Sequence, residues 1–116
     1  MLETWNYRQD VRDDTDALVD LEVEALDGEI GTIVEESFET DSSHLVVDTG
    51  FWIFGTKRLI PAGAVDRVDL IDNKVYINMT KEQVKNSPEY NPPESDYPGE
   101  DHYQPYVEYY SGFPWT

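Results

Sequence analysis

The side chains that most often carry out catalysis are scarce in this sequence. Its two histidines are His44, at the start of a predicted strand, and His102, in the C-terminal tail. Neither lies in a nucleophile elbow or a comparable frame that would place a Ser, Thr or Lys beside a base. A Ser-His-Asp site is therefore disfavoured, and we expect the protein not to be an enzyme.

Acidic side chains are abundant, since 25 of the 116 residues are Asp or Glu. Glu35 and Glu36 are adjacent in a predicted strand, where successive side chains point to opposite faces, so they cannot act together on one bond. The sequence contains neither the D-x-[DN]-x-[DN]-G pattern of a calcium loop nor any Cys for a thiolate metal site. We predict no resident cofactor or metal site. Binding of a small ligand or a divalent ion by a barrel mouth and an acidic rim is the alternative.

The net charge of -17 narrows the range of partners. Nucleic acids and anionic membrane surfaces need clustered Lys and Arg, whereas Lys57-Arg58 is the only adjacent basic pair. No apolar run approaches the roughly 20 residues that span a bilayer, and no signal peptide is indicated. With Cys absent as well, we expect a cytoplasmic protein without direct membrane insertion. The acidic surface is most simply a solvated, repulsive face that keeps the protein soluble. A high-salt cytoplasm is the other explanation, and it predicts that lowering the salt destabilises the fold.

The first half of the chain contains strand and turn patterns. Residues 19–25 alternate between apolar and acidic side chains, which predicts a half-buried strand. Asp27-Gly28 predicts a type I′ hairpin turn that returns into a second strand over residues 30–38. Gly31 within that strand indicates a bulge or a close backbone approach. Residues 44–48 predict a short buried strand.

The following segment predicts three more strands. The first covers residues 57–60 and stops at Pro61, which has no amide proton, so this strand should lie at an edge or a corner. The next two cover residues 65–71 and 74–79 and are joined by a two-residue hairpin turn at Asp72-Asn73. Alternation in these two strands predicts shared faces for two sets of apolar side chains, namely Val68 with Leu70, and Val75 with Ile77 and Met79.

A short helix should follow the last strand. Thr80 is a favourable N-cap, and Gln83 stands where a capping box requires it. Pro88 then halts the helix, which is expected over residues 80–86.

Three segments resemble a known family. They are Asp27-Gly28-Glu29-Ile30-Gly31, the F-G-T-x4-P segment from Phe54 to Pro61, and the closing T-K-E-Q-V-K-N-S-P-E-Y from Thr80 to Tyr90. Over Leu18 to Tyr90 the chain resembles the PRC-barrel family, named for the cytoplasmic domain of the photosynthetic reaction-centre H subunit and found also in a ribosome-maturation factor. The resemblance implies a small β-barrel with an assembly role, and the family pattern has no catalytic residues to transfer.

Composition divides the chain into an N-terminal arm (1–17), a PRC-barrel domain (18–86) and a Pro/Tyr-rich tail (87–116). The tail predicts a helix over residues 101–110, with Pro105 in its first turn and tyrosines along one face. It is similar to the tyrosine-rich C-terminus of small stand-alone bacterial members of the family. The tail could fold back on the barrel or a twin subunit, dock onto another protein, or stay disordered.

Residues 51–54 (FWIF) are four consecutive bulky apolar residues, which cannot all face one core if they are extended. They either plug one end of the barrel or form an exposed patch for self-association or a partner. We place Trp52 or its neighbours at a subunit interface as a hypothesis.

The sequence as a whole predicts a mostly β fold: a small antiparallel β-barrel of about six strands with a short C-terminal helix and an aromatic tail. The expected function is a non-enzymatic interaction or assembly module, acting as a homodimer or docking onto a larger complex. Aromatic side chains should supply the contact area, because they contribute much interface energy for little entropy cost. The predicted partner-binding residues are Trp52, Phe54, Tyr103, Tyr106, Tyr110 and Trp115.

Overall fold

The computed structural model describes residues 5–7, 18–37, 43–50, 57–90 and 100–111. Its elements are β1 (Glu22–Ala25), β2 (Gly28–Ser37), β3 (His44–Asp48), β4 (Lys57–Pro61), a 3-10 turn (Ala62–Ala64), β5 (Val65–Asp69), β6 (Lys74–Ile77), α1 (Lys81–Lys85) and α2 (Glu100–Tyr110). The described strands form one sheet in the order β4-β3-β2-β1-β6-β5. Because β1 and β6 run parallel and the other pairs antiparallel, this sheet is mixed rather than wholly antiparallel. The prediction of a mostly β chain is confirmed.

The first strand is shorter than its alternating pattern predicts. Leu21, Val23 and Ala25 are buried as expected, but β1 begins only at Glu22. Asp20 has a positive φ of 78°, which breaks the extended backbone before the strand.

The hairpin between β1 and β2 does not use the predicted type I′ turn. Ala25 pairs with Gly28, so the loop consists of Leu26 and Asp27, and neither has the positive φ that type I′ requires. The reason is steric, since a left-handed backbone is unfavourable for a branched residue such as Leu26. Gly28 instead takes the unusual conformation, with φ 140°.

The structure confirms both predictions for Gly31, a bulge and a close backbone approach. Val23 pairs with Gly31 while Glu24 pairs with Glu29, so Ile30 is an extra residue and the ladder is bulged. A Cβ atom on Gly31 would lie 2.0 Å from the backbone oxygen of Asp48 on β3. With φ at 154°, only glycine is compatible with this place.

Strands β3 and β4 agree with the sequence pattern. β3 spans the predicted residues, and its three central side chains are fully buried. β4 ends at Pro61 and is an edge strand of the sheet, as the proline indicated. The described core consists mainly of aliphatic residues from all six strands together with Val84, Tyr90, Tyr106 and Tyr110.

The turn between β5 and β6 is longer than predicted. Asp69 pairs with Lys74, so the loop contains four residues, 70–73, and not two. The Asp69 carboxylate accepts hydrogen bonds from the backbone N–H groups of Ile71 and Asp72, both at 3.0 Å, which stabilise the longer turn. Of the two predicted turn residues, Asp72 and Asn73, Asn73 has a positive φ, at 58°, and Asp72 does not. After the turn, the alternate apolar residues of the last strand pattern are buried as expected: Val75, Ile77 and Met79.

Both predicted helices are present. The Thr80 hydroxyl accepts the Gln83 backbone N–H at 3.1 Å and the Gln83 side chain accepts the Thr80 N–H at 2.9 Å, which completes the capping box of α1. Pro105 is the sixth residue of α2, so its predicted place in the first turn is wrong. Neither described helix is long and apolar enough to cross a membrane.

Candidate functional site

Three tyrosine side chains of α2 hydrogen-bond to the backbone of other segments of the same chain. We call Tyr106, Tyr109 and Tyr110 the tyrosine cluster. Their hydroxyls donate to the backbone carbonyls of Glu89 at 3.1 Å, Gln83 at 2.5 Å and Leu59 at 2.6 Å, respectively. Spacings of three and four residues place these side chains on one side of a helix, so α2 presents its hydroxyls together.

The tyrosine cluster helps to cover the outer edge of β4. The Tyr90 N–H donates to the Lys57 carbonyl at 2.9 Å, and the Tyr110 hydroxyl donates to the next outward carbonyl, that of Leu59. Pro61 has no N–H group to leave unpaired at the end of the strand. Edge strands with free backbone groups attract other strands, and this edge is largely closed.

Burial keeps the tyrosines of this region in the neutral form that can donate hydrogen bonds. Tyr110 is fully buried, and loss of solvation raises the pKa of its hydroxyl, while a hydrogen bond with the Ser87 side chain and, less strongly, the charge of Arg58 act in the opposite direction. Burial also raises the pKa of Tyr90 to about 12. Tyr110 makes edge-to-face contacts with Trp5 and Tyr109, with ring centroids 6.2 Å and 5.0 Å away.

The predicted partner-binding residues fall into two groups. Trp52, Phe54 and Trp115 lie outside the described residues. Tyr106 and Tyr110 are buried in their own chain, and Tyr103 is half-buried beside His44 and Tyr106. The structure therefore brings the three predicted tyrosines together on α2, and their contact with a partner stays a prediction.

Arg58 on β4 is a buried cation to which the sequence analysis assigned no function. Arg58 is 6% exposed, and its Nη1 donates to the Lys57 carbonyl at 3.2 Å. Its Nε has no hydrogen-bond partner. Arg58 also forms a β-bridge with Glu89, which pairs the backbone of this segment with the β4 edge.

The β5–β6 loop exposes two aliphatic side chains, which we call the apolar loop tip. Ile71 is 93% exposed and Leu70 is 50% exposed. The Glu22 N–H donates to the Asn73 carbonyl at 3.1 Å, so the start of β1 lies beside this loop. Sequence reasoning missed the tip because it continued the strand through Leu70 and Ile71. An apolar pair directly before the turn residues Asp72-Asn73 is the sequence feature that could have indicated an exposed apolar loop.

The cations at the base of this loop already have partners. Lys74 lies 3.6 Å from Glu24, which is the main reason that the pKa of Lys74 is raised. Arg67 lies 3.6 Å from Asp69, and its guanidinium is 4.0 Å from the centre of the Tyr76 ring.

Carboxylates give the surroundings of the apolar loop tip an excess of negative charge. Glu22 and Asp72 are exposed beside it. The pKa of Asp69 is lowered, chiefly by the hydrogen bond from the Asp72 backbone, so this carboxylate also stays ionised at neutral pH.

The tyrosine cluster packs within its own chain, whereas the apolar loop tip is exposed to solvent. Over the part of the chain that the structure describes, no group of three His, Asp or Glu side chains is arranged to hold a metal ion. The tyrosine cluster and the apolar loop tip are therefore the features on which an assignment can be built. Comparison with known proteins adds none, because no protein-family model and no curated protein matches the chain.

Proposed function

We propose that the protein is a non-enzymatic interaction or assembly module, which associates with itself or docks onto a larger protein complex. The observation that carries this proposal is the apolar loop tip, where Ile71 is 93% exposed beside the half-exposed Leu70. Exposed aliphatic residues next to each other are candidates for a contact surface, since burying them against a partner is favourable. Their loop is held in shape by hydrogen bonds to the Asp69 carboxylate.

The tyrosine cluster has the complementary role of limiting where association can occur. It ties α2 to the rest of the chain, and its Tyr110 occupies one backbone acceptor at the β4 edge, the Leu59 carbonyl. An open strand edge would otherwise invite unspecific pairing with other chains. A module with one closed edge and one exposed apolar loop can bind in a defined orientation.

We further propose that the sheet curves into a small barrel of the PRC type, in a protein of the cytoplasm. Register shifts interrupt the β1–β2, β2–β3 and β5–β6 ladders. Such bulges increase twist and bend a sheet, as a small barrel requires. The three sequence segments that resemble PRC-barrel proteins support the same proposal, and the lack of Cys favours the cytoplasm.

The test uses the full-length protein, because removing the tail would also remove the tyrosine cluster. Its mass in solution is measured over a range of concentrations, and proteins retained from the native lysate are identified. Self-association or a partner retained at stoichiometric amounts is expected. A strictly monomeric protein that retains nothing would overturn the proposal, and a thermal-shift screen with small molecules and divalent ions would then test the ligand-binding alternative.

A further inference from the structure

We infer that the apolar loop tip is the docking site for a cationic amphipathic segment of another protein, an inference that rests on the proposed function. Such a segment presents Leu, Ile or Val side chains flanked by Lys or Arg. Leu70 and Ile71 supply the apolar contact.

The loop is shaped before any partner arrives. The Asp69 carboxylate accepts two backbone hydrogen bonds within it, and the Asn73 carbonyl accepts the Glu22 N–H of the neighbouring strand. A contact loop that is already ordered loses little conformational entropy on binding. Ile71 therefore presents its side chain from a fixed backbone.

The charge around the loop selects the class of partner. Arg67 lies beside Asp69, and Lys74 lies beside Glu24 and interacts also with Glu22, so with Asp72 the carboxylates around the loop outnumber the cations. The exposed carboxylates among them are Glu22 and Asp72. An apolar centre with an acidic rim is complementary to an apolar centre with a basic rim.

The same charge argues against two other occupants of this site. A second copy of the chain would bring another net charge of -17 to the interface. An anionic lipid surface would be repelled for the same reason. A cationic protein segment is the occupant that the charge attracts, and attraction of this kind also speeds association.

The experiment measures binding of the full-length protein to a fluorescent amphipathic peptide built from Leu and Lys. A matched peptide with Glu in place of Lys is the first control. The double variant Leu70→Ser and Ile71→Ser removes the apolar contact. Leu26→Ser is the matched protein control, because Leu26 is 64% exposed at the opposite end of β1.

We expect the Leu/Lys peptide to bind, the Leu/Glu peptide to bind far more weakly, and added salt to weaken the interaction. The double variant should lose roughly tenfold in affinity or more, as the burial of one aliphatic side chain predicts. Leu26→Ser should bind like the natural protein. Glu22→Gln with Asp72→Asn should weaken binding as well, because it removes two exposed carboxylates beside the loop.

Four results would overturn the inference. If the double variant and the natural protein bind the peptide with equal affinity, the apolar loop tip is not the binding site. If Leu26→Ser loses as much affinity as the double variant, the loss is not specific to the tip. A concentration-dependent mass that needs Ile71 would assign the tip to a second copy. Binding to zwitterionic lipid vesicles that needs Ile71 would assign it to membranes. If the natural protein still retains a partner from lysate in these cases, the proposed function survives without this site.

Discussion

The two edge strands of the described sheet, β4 and β5, have opposite surroundings. At the β4 edge, Tyr90 and Tyr110 donate to outward carbonyls, and the strand ends in a proline. At the β5 edge, the strand is interrupted by a register shift and leads into a loop with an exposed Ile71. One edge is covered by aromatic residues of its own chain, whereas the other presents aliphatic residues to solvent.

The two edges show that the type of a residue does not decide whether it packs within its own chain or is exposed to solvent. Tyrosines are common at protein interfaces because each has an apolar ring and a polar tip. In α2 the same two properties are used within the chain, since the rings of Tyr106 and Tyr110 are buried while their hydroxyls bind backbone carbonyls. Leu70 and Ile71 are ordinary core residue types, yet they are exposed. Position in the fold, and not side-chain type, separates the two uses.

The largest effect should come from removing the anchor of the closed edge. Tyr110→Ala is expected to lower the free energy of unfolding by about 3–5 kcal/mol, because it empties a buried aromatic site and leaves the Leu59 carbonyl without its donor. Urea denaturation followed by circular dichroism measures this loss. Val107→Ala is the control, since Val107 lies on the exposed side of the same helix.

A loss below about 1 kcal/mol for Tyr110→Ala would mean that α2 is not an integral part of the fold. The β4 edge would then be open in solution, and the contrast between the two edges would disappear.

The second-largest loss of stability should come from alkaline pH, which acts on the buried tyrosines at the β4 edge. An unfolded tyrosine ionises near the ordinary pKa of 10.0, whereas burial raises the pKa of Tyr90 to about 12 and that of Tyr110 further. The stabilisation from these neutral hydroxyls is therefore complete below pH 10 and is lost as the pH rises through the folded-state pKa values. For the fully buried Tyr110 the loss is about 1.4 kcal/mol for each pH unit in that range.

Urea denaturation at a series of pH values up to about 12 tests this dependence. Tyr110→Phe should be less stable at neutral pH but should show a shallower decline above the ordinary tyrosine pKa. An identical slope in both proteins would contradict the assignment of the decline to Tyr110.

Local features of the fold could be predicted from the sequence. The capping box at Thr80 and Gln83 is a short-range pattern, and it forms as expected. Gly31 is informative because only glycine tolerates both the backbone angle and the close carbonyl of Asp48. The edge position of β4 follows from the missing N–H group of Pro61.

Features set by pairing between strands could not be predicted in the same way. The β5–β6 loop has four residues because Asp69 pairs with Lys74, and the alternating pattern of the sequence gives no sign of that register. The parallel pairing of β1 with β6 joins segments that lie far apart in the chain. Ile71 lies in the four-residue loop, and a strand-by-strand reading placed it in the strand although an apolar pair stands directly before the turn residues Asp72-Asn73.

A moderate effect is expected from the turn that shapes the exposed loop. Asn73 has a φ of 58°, a conformation that costs most residues with a Cβ atom about 1 kcal/mol and costs glycine nothing. Asn73→Ala should therefore lower the free energy of unfolding by about that amount, whereas Asn73→Gly should leave it nearly unchanged. Denaturation curves of the two variants give the comparison. Equal losses in both would show that the Asn73 side chain, and not its backbone angle, stabilises the turn.

The smallest effect on stability should come from the apolar loop tip itself. Ile71→Ser is expected to change the free energy of unfolding by less than about 0.5 kcal/mol, because a side chain that is 93% exposed buries almost nothing on folding. Ile60→Ser, at a fully buried position on β4, is the matched control and should be severely destabilising. Denaturation of both variants beside the natural protein measures the difference. A large loss for Ile71→Ser would mean that the loop packs inward in solution, and Ile71 would then belong to the core and not to a surface for a partner.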